Sequence, residues 1–232
     1  MLTVFKKYRA LLTELWRMPR ARLQFQSHLN PAEVRATYAR FTQGHPRFPL
    51  VSHKTIGVAL VPLEHFASPD LYLAEIGGGN QGAGLARRAR KRGYVVAQID
   101  RNAYADQIHA INTSLAQRQG RPMSATYLAH QHQFEQLPNY RYFGVVAPDG
   151  KLVAYANLGL YGDFAALAQL MGYRNNDGIM HLLIVDLVCM LIVEGRARFL
   201  MYDTFFGASS GLQCFKRMLG FQPYHVSYDF HD

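Results

Sequence analysis

The tetrapeptide Pro148-Asp149-Gly150-Lys151 constrains this chain most, because it stands between two β-rich runs, Tyr142–Ala147 and Leu152–Tyr161. Pro presets φ, Asp bonds its own backbone and Gly accepts a positive φ, so the two runs fold back as an antiparallel hairpin. Beyond Tyr161 the chain changes rhythm. Phe164–Tyr173 reads as a third strand, although its alanines and leucines dilute the pattern. A helix from about Asp177 to Glu194 is closed by Gly195, and a strand, Arg198–Asp203, comes next. A second helix, about Ser209 to Leu219, is closed by Gly220, and a last β segment covers Phe221–Phe230. A hairpin followed by β-α-β-α-β implies an α/β fold with α+β character, its mixed central sheet antiparallel early and parallel in the middle.

Upstream, Val4, Tyr8, Leu11, Leu12 and Leu15 recur at helical spacing over residues 1–18, while Lys6, Lys7, Arg9 and Arg17 project elsewhere. Pro19 stops or bends this helix. A basic amphipathic helix of this kind either packs its stripe on the parent domain or touches a membrane surface. Asn30 as N-cap and Pro31 as first residue open another helix through about Phe41. Gly44 to Pro49 reads as a loop and Thr55–Val61 as a strand. Residues 1–66 are therefore expected to be an extension packed on a core of residues 67–232, or the beginning of one continuous domain. Within that core, residues 71–76 read as a short apolar strand and Leu85 to Arg92 as a basic helix capped by Gly93. Tyr94–Asp100 reads as a strand, about Ala103 to Gln117 as a helix, and Arg118 to Pro122 as a polar turn.

The chain is 49% hydrophobic and 12% aromatic over 232 residues, enough for a substantial core, which excludes wholesale disorder. Its longest apolar candidate, Ile179 to Val193, contains His181 and Asp186 and is shorter than the roughly 18 residues of a membrane span. No integral membrane segment is expected. The first apolar residues are interrupted by Lys6, Lys7, Arg9 and Glu14, unlike a secretory signal. Cys189 and Cys214 both fall in apolar helical patterns and are expected as buried thiols of a reducing compartment, which points to the cytoplasm. The net charge of +9 attracts polyanions such as RNA, nucleotide cofactors or acidic headgroups without choosing among them.

The glycines support a rival. Gly77-x-Gly79-x-x-Gly82 follows an apolar run and opens a helix, with Asp100 at the end of the next strand. A dinucleotide fold uses such spacing to put a pyrophosphate on a helix N-terminus and an acid on the ribose, which would make the protein an NAD(P)-binding oxidoreductase. Against it, the helix carries Arg87, Arg88, Arg90, Lys91 and Arg92 where an apolar face is needed, and a hairpin follows instead of further parallel strands.

The order of C-terminal elements resembles the Gcn5-related N-acetyltransferase (GNAT) superfamily, and within it the Fem-like aminoacyl transferases. Gly211-Leu212-Gln213-Cys214-Phe215-Lys216-Arg217-Met218-Leu219-Gly220-Phe221 is similar to a Fem-like G-L-x-x-F-K-x-x-F-G string that follows a strand ending in Tyr-Asp, here Tyr202-Asp203. The basic segment from Ala86 to Gly93 resembles the basic helix in the first half of those proteins. The resemblance covers roughly residues 85–230. It implies an acyltransferase of GNAT-like fold. An acyl or aminoacyl group would come from aminoacyl-tRNA, acyl-CoA or acyl carrier protein as co-substrate, with no permanently bound cofactor. The acceptor would be an amine or hydroxyl on a small molecule or peptide. A catalytically silent GNAT-like domain that binds RNA or a membrane is a further reading.

Acetyl-CoA-binding members carry Arg/Gln-x-x-Gly-x-Gly/Ala at the start of the central helix, where backbone N–H groups cradle the pyrophosphate. Here the stretch runs Arg174-Asn175-Asn176-Asp177-Gly178-Ile179-Met180. Gly178 matches the first glycine, but Asn175 and Met180 depart, and Asp177 adds a carboxylate where a phosphate would sit. Fem-like enzymes have lost the same motif and take their aminoacyl group from tRNA. That suits a basic chain with Arg88 and Arg90 as candidate tRNA contacts. Typical Fem proteins have two complete GNAT units and this chain is too short for that, which weighs against a peptidoglycan precursor as acceptor.

Acyl transfer to an amine needs a held carbonyl, a sink for the oxyanion and a route for the proton. The resemblance assigns Lys216 to the positive charge. Asp203 or the Tyr202 hydroxyl would take the proton, with Tyr224 as a further acid. Arg118 and Arg121 are candidate clamps for a phosphate or carboxylate, since the guanidinium fork suits both. His130-x-His132 has ligand chemistry, yet no neighbouring Cys or carboxylate in the sequence completes a set, so no metal is expected.

Overall fold

The computed structural model describes residues 18–232 except 46–47, 53, 78–80, 119–120 and 207. The expected helix over residues 1–18 lies outside the described residues apart from its last position.

β1 (Arg20–Gln26) alternates exposed and buried side chains, with Leu23 and Phe25 fully buried. α1 (Pro31–Thr42) starts as expected: the Asn30 side chain accepts from the Glu33 N–H, and Pro31 needs no partner for its nitrogen. β2 (Ile56–Pro62) is buried on both faces. α2 (Pro69–Glu75) and α3 (Gly82–Lys91) lead to the short edge strand β3 (Val95–Gln98). α4 (Ala105–Thr113) and the single turn α5 (Ala125–Leu128) precede the hairpin β4 (Tyr140–Val146) and β5 (Leu152–Leu160). β6 (Phe164–Gly172), α6 (Ile179–Glu194), β7 (Phe199–Thr204), α7 (Ser210–Met218) and β8 (Gln222–His231) complete the order.

The eight strands form one sheet in the order β1-β8-β2-β7-β6-β5-β4-β3. β1 with β8 and β6 with β7 run parallel, and the other neighbours antiparallel. The mixed α/β sheet, antiparallel in the hairpin and parallel at β6–β7, is the one the sequence predicts. β2 separates β7 from β8, so the division expected at residue 66 falls inside a single sheet. Gly44–His45 and Phe48–Ser52, which overlap the expected loop from Gly44 to Pro49 and run past it, pair as a small separate ribbon.

α6 is apolar around its whole circumference because it is covered on both sides, by the sheet and by α2 and α3. Leu182, Leu183, Val185, Leu187 and Val188 fill that layer with Ala59, Val61, Ala156 and Leu158 of the sheet. The other face of the sheet carries α1 at one end, over Phe25, Leu60 and Phe164, and α4 at the other, over Tyr142 and Tyr155. A gap between these two patches stays open over β6 and β7.

Three expectations are corrected. Residues 71–76 are helical: Ser68-Pro69 is a start signal, and Tyr72 and Ile76, one turn apart, are both buried while Leu71 is 54% exposed. The glycines therefore follow a helix, and β3 pairs antiparallel with β4, which removes the β-α-β unit of the dinucleotide reading. Gly82 is needed for another reason: a Cβ there would meet the Met218 carbonyl oxygen of α7 at 2.0 Å. Cys214 is exposed and Cys189 half-buried. Among the described residues, no helix is long and apolar enough to cross a membrane.

Candidate active site

β6 and β7 pair only over Phe164–Ala166 and Phe199–Met201, although both strands continue further. Two irregularities part them. β6 bulges between Leu167 and Gln169, stepping Ala168 out of the ladder with β5. β7 loses register with β2 between Met201 and Thr204, and Asp203 sits there in the left-handed region at φ 51°. A non-glycine residue at positive φ in a strand is uncommon, and Asp is among the types that tolerate it. Its reversal of alternation turns the carboxylate into the gap.

The opening is a cleft of about 520 Å³. Ala166, Leu167, Ala168 and Leu170 form one wall, and Met201, Tyr202 and Asp203 the other. Phe41, Tyr140 and Tyr161 close the inner end, and Met123, Ser124 and Tyr127 flank it on the α5 side. Lys54 donates to Asp203 Oδ1 at 2.9 Å and lies 5.0 Å from the Phe41 ring centre. Glu33 Oε1 accepts from Thr37 Oγ1 at 3.1 Å and from the Tyr140 hydroxyl at 3.2 Å, and the Tyr140 hydroxyl also bonds that of Tyr161. Burial pushes both phenols above their ordinary range, so they remain protonated donors at neutral pH.

Lys216 is only 1% exposed. Its ammonium donates to the Thr204 carbonyl at 2.8 Å and sits 4.6 Å from the Tyr202 ring centre. Burial lowers its pKa to about 8, against a raising influence from Asp203. Lys216 thus stands directly behind the Asp203 turn and does not line the cleft. Tyr202 lines it but is 9% exposed and packs edge-on with Phe221. Tyr224 is elsewhere: it packs against Phe199 and borders a separate cavity with His65, Phe66 and Glu75.

The N-terminus of α6 lies close against α3. Gly178 is its N-cap at φ 86°, and a Cβ there would lie 2.4 Å from the Leu85 carbonyl oxygen of α3. Asp177 is ion-paired with Arg92 and accepts from the Tyr94 hydroxyl at 2.7 Å. Arg88 donates to the Asn176 carbonyl and Arg90 to Asp186, so with Arg92 three cations at the basic helix bond α6 or the loop that leads into it. Arg87 and Lys91 are exposed on that helix, and Arg174 and Asn175 are exposed on the loop. Gly178→Ala combines a left-handed φ with a backbone clash and is expected to cost about 2 kcal/mol or more, read as a lower denaturation midpoint.

The side chains of Arg118 and Arg121 are outside the described set. One reading of the histidines is corrected: Asp106 of α4 does bring a carboxylate to His130 and His132. Sequence reasoning missed Glu33, Lys54, Tyr127, Tyr140 and Tyr161, which come from separate stretches of chain. The bulge at Ala168 had a faint signal in the small residues of β6.

No protein-family profile and no curated protein matches the sequence. Solved structures do. FemX superimposes with a TM-score of 0.56 at 12% identity, over 72% of this chain and 59% of that one. The C-terminal DUF2156 domain described as that of a lysylphosphatidylglycerol synthetase from Agrobacterium fabrum gives 0.49 at 16%, over 72% and 57%. A tandem GNAT protein from the clavulanic acid biosynthesis pathway gives 0.45 at 16%, over 84% and 56%. The chain spans less than two thirds of each of these matched chains. The parallel pair splayed inside a mixed sheet and the superposition on FemX give the chain a GNAT-like mixed α/β fold.

Proposed function

We propose that the β6–β7 cleft transfers an acyl or aminoacyl group to an amine or hydroxyl acceptor, with Asp203 taking the acceptor's proton. The observation that carries this reading is the Asp203 carboxylate, turned by its positive φ onto the rim where the parallel strands part. The acceptor nitrogen or oxygen attacks the donor carbonyl, Asp203 accepts its proton, and the tetrahedral intermediate expels the carrier's hydroxyl or thiol, which takes the proton back. Ala168, displaced from the ladder and exposed at the cleft, is the residue whose backbone N–H would meet the oxyanion. Lys54 holds Asp203 in place. Lys216 acts through Thr204 as a positioning residue that fixes the turn carrying Asp203.

A tRNA or carrier-protein donor fits better than a CoA thioester. The helix end that would cradle a pyrophosphate meets Asp177 and the backbone of α3, and a second anion there would be repelled. Within the basic helix, Arg87 and Lys91 are the contacts assigned to RNA, because Arg88 and Arg90 bond the α6 side. A thermal-shift titration tests the donor class, since a ligand that binds only the folded state raises the midpoint. Bulk tRNA is expected to raise it and acetyl-CoA to leave it unmoved. Arg87→Ala with Lys91→Ala should weaken tRNA binding and flatten the log–log salt slope by about 2. Stabilisation by acetyl-CoA alone would reverse this assignment.

A further inference from the structure

Outside the cleft, the described residues bring together two short motifs far apart in sequence. Asp106 and His109 lie one turn apart on α4, on the same helix face. His130 and His132 lie in the irregular segment after α5, two residues apart. Folding sets the second pair over the first. The His130 ring stacks on His109 with centres 4.3 Å apart, and the His132 ring centre is 4.1 Å from that of His130. His130 Nε2 is 3.0 Å from Asp106 Oδ1. One ligand atom each from Asp106, His130 and His132 falls within 4.8 Å of the others, and all three residues are exposed.

We infer that Asp106, His130 and His132 form a binding site for a borderline divalent transition metal of the zinc class. Two imidazoles and one carboxylate are the donor set such ions prefer, and bonds of about 2.0–2.2 Å to each require small side-chain rotations from this spacing. His109 fills a supporting place, its ring packed flat against that of His130. Calcium and magnesium are disfavoured, because both want mainly oxygen ligands. The remaining coordination positions face solvent, so water completes the shell. The ion would clip α4 to the segment that follows α5, and Tyr127 of α5 itself flanks the cleft. It would order that wall without entering the reaction. The simpler arrangement, His130 hydrogen-bonded to Asp106 with no metal, predicts something different. The site does not depend on the acyl-transfer reading.

The test is titration of the full-length protein with Zn²⁺ against a chromophoric chelator, after removal of metal with EDTA. One saturable site is expected, and His130→Ala and His132→Ala should each weaken it by at least about tenfold. Zn²⁺ should also raise the melting temperature of the wild type and not that of the double variant. Both substitutions are on exposed side chains, so the metal-free variants should match the metal-free wild type in circular dichroism and melting temperature. Equal affinity in the double variant would place the metal on other residues, and no saturable binding would leave only the hydrogen bond between His130 and Asp106. Either result overturns the proposal.

Discussion

Asp203→Asn is expected to reduce transfer turnover by about 10²–10⁴-fold, the range a well-placed general base contributes. The substitution isolates the proton acceptor. Asparagine has nearly the same shape and, like aspartate, tolerates the left-handed φ of 51° that this position requires. It still accepts a hydrogen bond from Lys54, while losing the charge. Because the carboxylate is exposed at the rim, the folded state should lose no more than about 1 kcal/mol, as for surface ion pairs. Steady-state kinetics should show the loss in kcat with KM little changed, together with a melting temperature lowered by no more than about 4 °C. Full activity in the asparagine variant would remove Asp203 from the reaction.

Lys216→Met produces the second large effect, and its signature is a pH profile. Burial holds the Lys216 pKa at about 8 in the folded protein, below the ordinary 10.5. Between those values the unfolded chain binds more protons than the folded one, so this group makes stability rise with pH across that window. Below about 8 both states are protonated and the full cost of burying the charge is present. Wild type should therefore gain stability relative to the methionine variant from pH 8 to 10.5, by on the order of 3 kcal/mol in all. Denaturant midpoints of the two proteins across that range would show it, and parallel curves would contradict the buried ammonium. Turnover should fall about 10²-fold in the variant, because the Thr204 carbonyl loses its tether and the Asp203 turn shifts. A neutral Lys216 amine still donates to Thr204. Wild-type turnover should then survive the passage through pH 8, whereas a loss there would make the ammonium charge itself part of the chemistry.

The legible part of the sequence was its C-terminal half, and the reason is local. The Pro-Asp-Gly turn fixes the β4–β5 hairpin, and Gly195 and Gly220 follow the ends of α6 and α7, so each boundary is written by residues beside it. The Asn30-Pro31 start of α1 was legible for the same reason. Residues 71–76 misled because a short apolar run with two leucines fits a buried strand and a buried helix alike, and the Ser-Pro start signal decides between them. The place of β2 between β7 and β8 was invisible, since strand neighbours far apart in sequence leave no local mark. The site divides along the same line. Asp203 and Lys216 came from a family-like string. Lys54, Glu33 and the paired tyrosines reach the cleft only through tertiary packing. The basic helix shows the same limit: its charges were plain to see, yet Asp177 and Asp186, which pair with Arg92 and Arg90, lie far down the chain.

The most direct test of the cleft as a transfer site is to follow a labelled group off its carrier. Bulk tRNA charged with radiolabelled amino acids, and separately radiolabelled acetyl-CoA, would be incubated with the protein and a pooled extract of small amines, peptides and lipids. Wild type is expected to move label from tRNA into carrier-free product. Asp203→Asn should do so at least about 100-fold more slowly. Equal transfer by the two proteins, or none by wild type from either carrier, would contradict the account.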